Sequence, residues 1–442
     1  MTLDLSNLGA GIIGEILSRA GSVGYEAWWA KVADSGFCAT PIRLEGTTSH
    51  RQTEIFARCK NRRASVCPSC SQLYAGDTWQ LVHAGIVGEH ERTLLDGRPM
   101  VFVTLTAPSF GAVHAGPGTA SGGRGLCRPG RELTCRHGRP SGCAVVHEIG
   151  DAVVGEPLCP DCYDYLGHVL FTWHAPALWH RFSVLLRRLV ARQARQDAGD
   201  AEVKVAYVKV VELQRRAVPH FHAVIRLDDQ AADGRAARPP SVGAGQLSAL
   251  VMQAAAMAAL PVRTRRRAMT LRFGEQLDVR ALDDVSGRRV AAYLAKYVTK
   301  SVGDFGLTAR RLHEGVVGEL DVSDHVRRIL QAIAKLAREP EYRELGMWLH
   351  TLGYRGHITT KTRGYSTTMG ELRARRDAWR REQRRAQDND NEAATVPGEM
   401  EWRYKGCGHA TEGERLLAVS AAGREREMRR AAREALASGE GI

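Results

Sequence analysis

The chain has 442 residues, enough for two or three domains, and 44% of them are hydrophobic, which excludes a chain disordered throughout. Its 62 Lys and Arg against 49 Asp and Glu leave a formal charge of +13, which favours a polyanionic partner, most simply nucleic acid. No apolar run nears the roughly 20 residues that span a bilayer, and MTLDLSNLGAGIIGEIL lacks the basic start of a signal peptide, so a cytoplasmic protein with no membrane partner is expected.

In a reducing cytosol the ten Cys read as metal ligands rather than disulfides. Residues 1–36 carry Leu3, Leu5, Leu8, Ile12, Ile13 and Ile16 at roughly helical spacing, an amphipathic lead-in. CKNRRASVCPSC follows, with Cys59, Cys67 and Cys70 as candidate zinc ligands. Two thiolates three apart on a tight turn chelate Zn²⁺, and the interleaved Arg62 and Arg63 sit where a phosphate would lie. VFVTLT at 101–106 is a β-prone run. Residues 111–157 are dense in Gly and Pro and lose all periodicity, which marks an insertion. It carries Cys127, Cys135, His137 and Cys143 and is followed by a second knuckle, Cys159-Pro160-Asp161-Cys162. A long loop without a core needs a staple, and structural zinc is the available one. The grouping stays open: Cys59, Cys67 and Cys70 with a fourth ligand, Cys135 with Cys143, Cys159 and Cys162, or one site joining both knuckles.

Residues 173–197 read as a long helix with Leu178, Phe182, Leu185, Leu186 and Leu189 inward and a row of arginines outward. VKVAYVKVVELQRRAVPHFHAVIRL, 203–227, alternates as a β-hairpin. His220 and His222 share one face of its second strand, Phe221 points into the core, and Glu212 lies near the end of the first. Antiparallel pairing brings such a carboxylate and two imidazoles into one coordination sphere, a set that suits Mg²⁺ or Mn²⁺ acting on a phosphate oxygen. A helix is expected near 245–259, a strand region at 271–282 and a helix at 288–301. The last puts Tyr293 and Tyr297 on one face, flanked by Lys296 and Lys300. Core packing is the ordinary role of such a Tyr pair, but the lysines place cations beside the phenols. After helices at 321–338, LGYRGHITTKTRGYSTT at 352–368 mixes Arg355, Lys361 and Arg363 with Tyr and Thr, which suits phosphate contacts. A basic helix at 371–386, a polar linker and a charged terminal helix complete the chain.

Ionising a tyrosine at pH 7 costs roughly 4 kcal/mol, so a nucleophilic phenol needs help. A divalent cation on the scissile phosphate and a nearby lysine supply it, and the chemistry expected is transesterification, with Tyr297 attacking a phosphodiester. FVTLT, then PHFHAVIRL, then YLAKY resemble, in that order, the three motifs of HUH endonucleases of the rolling-circle replication initiator class. CKNRRASVCPSCSQLYAGDTW, FVTLTAPSFGAVH, VPHFHAVIRLD, GEQLDVRAL and AAYLAKYVTKS are similar to the Rep proteins of actinobacterial plasmids and integrative elements. The resemblance covers most of 55–305 and extends to about 370 through LGYRGHITTKTRGYSTT.

That resemblance implies an α+β fold: an HUH-type antiparallel sheet of split βαβ (ferredoxin- or RRM-like) form, with the His pair on a central strand and helices around it. It implies a nickase that cuts one strand at an extruded, single-stranded origin hairpin, joins Tyr297 to the 5′-phosphate and leaves a 3′-hydroxyl primer. His220 and His222 match the metal ligands and Tyr297 the nucleophile, while Tyr293 matches a position held by a second tyrosine or a glutamate. Origin DNA, a host helicase and a polymerase are the partners so implied, and assembly of several copies on DNA stays open. The expected domains are a helical and zinc-knuckle region at 1–95 and a nickase at 96–305 containing the insertion 111–165. A basic accessory region at 306–390 and a linker with a charged helix at 391–442 follow. Two rivals remain: an HUH transposase or relaxase, and a zinc-dependent DNA-binding regulator without catalysis. A relaxase carries its tyrosine ahead of the His motif, whereas here it follows.

Overall fold

A computed structural model describes residues 8–47, 52–87, 98–116, 125–128, 134–148, 150–198, 203–229, 241–282, 286–298, 305–307, 311–388 and 401–438. In chain order the elements are α1 (Ala10–Ala20), α2 (Tyr25–Asp34), β1 (Ile42–Thr47), β2 (Gln52–Ala57), α3 (Pro68–Val87), β3 (Met100–Leu105) and α4 (Tyr165–Ala198). Then come β4 (Val203–Leu213), β5 (Pro219–Asp229), α5 (Ala244–Met257), β6 (Ala259–Arg263), β7 (Ala268–Arg272), β8 (Leu277–Ala281) and α6 (Ser286–Tyr297). α7 (Asp324–Leu336), β9 (Thr359–Lys361), α8 (Met369–Asp388), β10 (Glu401–Cys407) and α9 (Glu412–Ser438) complete the fold. It is a mixed α and β architecture with antiparallel sheets.

Two compact units form: 1–77 with 368–442, and 78–367. The four-part division drawn from the sequence places its boundaries elsewhere, at 95/96, 305/306 and 390/391. In the first unit, β10, β1 and β2 make an antiparallel sheet from both ends of the chain. Trp28, Val32, Phe56 and Ala418 form its core. β10 falls inside a stretch expected to hold a linker and a helix; a seven-residue strand with five exposed charged and aromatic side chains shows no alternation to read.

The second unit is built on a five-stranded antiparallel sheet of order β8-β3-β5-β4-β9, so the strand carrying the His pair is its middle one. Period-two alternation assigns each face. Val101, Val103 and Leu105 of β3, Phe221, Ala223, Ile225 and Leu227 of β5, and Val205 and Val211 of β4 point into one core. α4 and α5 pack there; Leu178, Phe182 and Leu186 of the expected stripe are buried, and the Phe221 ring stacks on Trp179 with centroids 5.6 Å apart. The opposite face carries Thr104, Glu212, His220 and His222, with α6 against β4. α4 begins eight residues before its expected start. Asp164 caps it, its Oδ1 accepting the Gly167 N–H at 2.9 Å.

The stretch 352–368, expected to meet phosphates, serves structure first. Thr359–Lys361 is the edge strand β9. Tyr365 is buried with its ring against Gly85 of α3, where a Cβ would fall 2.0 Å from a ring carbon, so only glycine lets the ring lie flat on that helix. Arg226, buried on β5, clamps this corner: it donates to Asp228 at 2.6 and 2.9 Å, to the Gly364 and Tyr365 carbonyls at 3.1 and 3.3 Å, and to the Gly85 carbonyl.

Candidate functional site

The β4–β5 hairpin sets Glu212 directly opposite His220, and β3 sets Thr104 opposite His222. Both imidazoles lie on one face with centroids 4.6 Å apart. His222 is almost fully buried and its two nitrogens are engaged: Nδ1 is 3.2 Å from the Thr104 hydroxyl and Nε2 is 3.3 Å from Glu212 Oε2. His220 Nδ1 is 2.7 Å from Gln214 Nε2. Gln214 is itself oriented by Arg216, whose Nε donates to its Oε1 at 3.0 Å while the guanidinium donates to the Ala107 and Pro108 carbonyls at 3.2 Å. Burial first, then the neighbouring His222, holds the His220 imidazole down to about 4, so it is neutral at pH 7 and has a lone pair to offer a cation. His220, His222 and Glu212 are donor types that a divalent cation takes, and Gln214 and Thr104 orient the two rings. Thr104 and Gln214 went unnoticed in the sequence, because register and turn geometry put them beside the imidazoles and no spacing rule does.

α6 brings its tyrosines over this face. The Tyr297 ring stacks on His222, with centroids 5.3 Å apart and planes 29° apart. Tyr293 meets His222 edge-on at 5.2 Å and Tyr297 at 4.6 Å. Core packing, the ordinary role of such a pair, falls to Ala291, Leu294, Ala295 and Val298, while Tyr293 is 40% exposed and Tyr297 half-buried. Burial pushes the Tyr293 phenol up, and its hydrogen bond to Tyr297 adds to this, so Tyr293 holds its proton as a donor. Lys296 is exposed beside them. Lys300 lies outside the described residues.

Nine of the ten cysteines, with three histidines, form three clusters whose ligand atoms lie within 4.8 Å of one another: Cys38, Cys59, Cys67 and Cys70; His114, Cys127, Cys143 and His147; and Cys135, His137, Cys159 and Cys162. Each has the donors to bind zinc. One sequence grouping is corrected: His137, not Cys143, joins Cys135, Cys159 and Cys162. Of the alternatives left open, the two knuckles serve separate clusters. The fourth ligand beside Cys59, Cys67 and Cys70 is Cys38, 21 residues upstream, which no local spacing announces. In that cluster Cys38 Sγ lies 3.7 Å from both Cys67 Sγ and Cys70 Sγ, and backbone N–H groups of Ala39 and Cys59 point at the sulfurs from 3.3 Å.

The basic candidates divide. Arg62 and Arg63 are half-buried in the first unit, next to its cysteine cluster. Arg355 is exposed, its guanidinium 4.2 Å over the Trp173 ring, and Arg363 is exposed. Lys361 donates to the carbonyls of Thr362, Arg363 and Ser366 at 3.3, 3.3 and 2.7 Å and so ties its own loop. Arg187 and Arg195, expected on a solvated helix face, line an open groove with Lys204. Among the described residues no helix is long and apolar enough to cross a membrane.

A family model described as replication initiator protein, pSAM2 (RepSA) matches residues 24–423. A replication initiator protein of Streptomyces ambofaciens is 38% identical over 465 aligned positions, covering 96% of this chain and 95% of that protein. No solved structure matches the chain.

Proposed function

Because this chain belongs to the RepSA family of replication initiator proteins, we propose that it starts rolling-circle replication as an HUH-type nickase, cutting one strand of its origin DNA with Tyr297 as nucleophile. The observation that carries this reading is the stacking of Tyr297 on His222, which puts a half-exposed phenol beside the imidazole pair and Glu212 on the middle strand of an antiparallel sheet. A Mg²⁺ or Mn²⁺ ion bound by His220, His222 and Glu212 would polarise a phosphate oxygen and lower the cost of the pentacoordinate charge.

The chain's own residues then do the rest. Tyr297 Oη attacks the phosphorus, an O–P bond to the phenol forms and the P–O3′ bond breaks. The phenol gives up its proton and the departing 3′ oxygen ends protonated, so one phosphodiester is exchanged for another and the reaction can run backwards to rejoin ends. Gln214 and Thr104 hold the imidazoles in orientation. Tyr293, a protonated donor to Tyr297, positions the nucleophile in the first strand transfer. Lys296 places a cation beside the phenol. Arg62, Arg63, Arg355, Arg363 and Lys300 are the proposed phosphate contacts, and origin DNA in single-stranded or extruded hairpin form the proposed substrate. Recruitment of a host helicase and polymerase belongs to the same reading.

Labelled single-stranded origin DNA is incubated with the full chain and Mn²⁺, and the adduct is resolved on a denaturing gel and mapped by mass spectrometry. The expected result is a covalent 5′-phosphotyrosine at Tyr297, absent from Tyr297→Phe and from His222→Ala, with DNA binding kept in both. If Tyr297→Phe nicks as wild type does, Tyr297 is not the nucleophile; if wild type binds and leaves the strand whole, the chain is a binding regulator and not a nickase.

A further inference from the structure

In the insertion the eight ligands of two clusters alternate in pairs along the chain. His114 and Cys127 belong to the first, Cys135 and His137 to the second, Cys143 and His147 to the first again, and Cys159 and Cys162 to the second. We propose that residues 111–165 form a cross-braced module holding two zinc ions, one on His114, Cys127, Cys143 and His147 and one on Cys135, His137, Cys159 and Cys162, whose folding is a single event.

The distances support the ions. Tetrahedral zinc, with Zn–N of about 2.0 Å and Zn–S of about 2.3 Å, has ligand–ligand edges of about 3.3 Å for N–N and about 3.5 Å for N–S. The first cluster shows His114 Nδ1 to His147 Nε2 at 3.2 Å, Cys127 Sγ to His114 Nδ1 at 3.8 Å and Cys143 Sγ to His147 Nε2 at 3.6 Å. The second shows His137 Nδ1 to Cys162 Sγ at 3.2 Å and to Cys159 Sγ at 3.6 Å. These five distances lie close to such edges. The outer partners fit as well. His147 turns Nε2 to its cluster and has Asp151 Oδ2 at 2.8 Å from Nδ1, the carboxylate behind a ligating imidazole, and the Ala115 N–H donates to Cys127 Sγ at 3.1 Å.

The interleaving couples the sites. Arg128 and Cys143 exchange two backbone hydrogen bonds, of 2.8 and 3.0 Å, which join the two arms of the first cluster. Between those arms lies the 135–139 knuckle of the second, closed by the Cys135 N–H to Arg139 carbonyl bond and the Gly138 N–H to Cys135 carbonyl bond, both 2.8 Å. Among the described residues of the segment apolar burial is thin: Val145, Val146 and Val153 are exposed, and the pairings at Val113–Pro157, Arg128–Cys143 and Thr134–Pro140 are isolated bridges. Without metal there is too little buried apolar surface to order it.

Zinc is counted by native mass spectrometry of the full-length protein, with hydrogen exchange read on peptides of the insertion. Wild type should carry three ions, the third on Cys38, Cys59, Cys67 and Cys70. Cys127→Ser should carry two fewer than wild type and lose exchange protection at 134–140 as well as at 125–128, although Cys127 does not belong to the 134–140 cluster. Cys127→His, which keeps four donors, should retain the wild-type count. Wild type with fewer than two ions overturns the proposal, as does Cys127→Ser that keeps full zinc or loses one ion with 134–140 still protected. Should Cys127→Ser fail to fold, chelator titration of wild type decides: both insertion ions should leave in one step with loss of protection across 125–147, and stepwise release with separate opening overturns the coupling.

Discussion

At the scale of single residues, the second partners of the imidazoles carry as much of the reading as the imidazoles do. Gln214 Nε2 is 2.7 Å from His220 Nδ1, so Gln214→Ala should weaken Mn²⁺ affinity about 10- to 100-fold and leave the melting temperature in saturating metal nearly unchanged. Isothermal titration with Mn²⁺ checks this; a loss of nicking with unaltered affinity would contradict a positioning role. Lys209 is the other residue with a measurable consequence. It faces the core on β4, with its ammonium 5.6 Å from the Trp179 ring centroid and 5.3 Å from that of Phe221, and burial lowers it to about 8. Between pH 8 and its ordinary value near 10.4 the unfolded chain binds more protons than the folded one, so stability should rise with pH across that window. Below pH 8 both states are protonated and the penalty is complete. Lys209→Met should therefore stabilise the protein at pH 7 by about 1–3 kcal/mol and flatten the slope between pH 8 and 10, as denaturant melts at stepped pH would show.

At the scale of elements, the sheet is held by corners that the sequence presents as surface. Gly85 on α3 gives the Tyr365 ring its bed, and Arg226 fastens the same corner from β5. Gly→Ala in a helix gains up to about 1 kcal/mol by propensity. At Gly85 the added methyl meets the ring, and the variant should instead lose about 1–3 kcal/mol. Combining it with Tyr365→Ala should cost less than the sum of the two single changes, because the second removes what the first collides with. Thermal melts of the four proteins form the cycle; strict additivity would mean that the contact carries no energy. The elements that strong periodicity announced, α4, β3 and the β4–β5 hairpin, are where the sequence reading put them to within a few residues apart from the start of α4. β9 and β10 were missed, being an edge strand of three residues and a strand of mostly exposed polar and aromatic side chains, neither of which needs an apolar face.

At the scale of the whole molecule, a charge of +13 sets an expectation that no single residue does. Binding of single-stranded origin DNA should weaken steeply with salt, each neutralised phosphate adding about −0.7 to the slope of log K against log salt concentration. Arg355→Ala and Arg363→Ala, both at exposed positions, should each weaken binding by a similar factor on every sequence tested and make that slope shallower by about one contact. Fluorescence anisotropy at four salt concentrations measures it; an unchanged slope in both variants would remove this loop from the DNA track.

What the sequence by itself determined is the local chemistry. Alternation put two imidazoles on one face of a strand, a four-residue step put two phenols on one face of a helix, and paired cysteines marked metal knuckles, because these periods are fixed by backbone geometry. Which residues then meet was decided by the tertiary structure. Register sets Glu212 opposite His220, the packing of α6 lays Tyr297 on His222, and chain reversal carries Cys38 to Cys67 and weaves His114 and His147 around the 135–139 knuckle. Those meetings join positions from 8 to 75 residues apart, and contact at such separations is a property of the folded path, which no local period encodes.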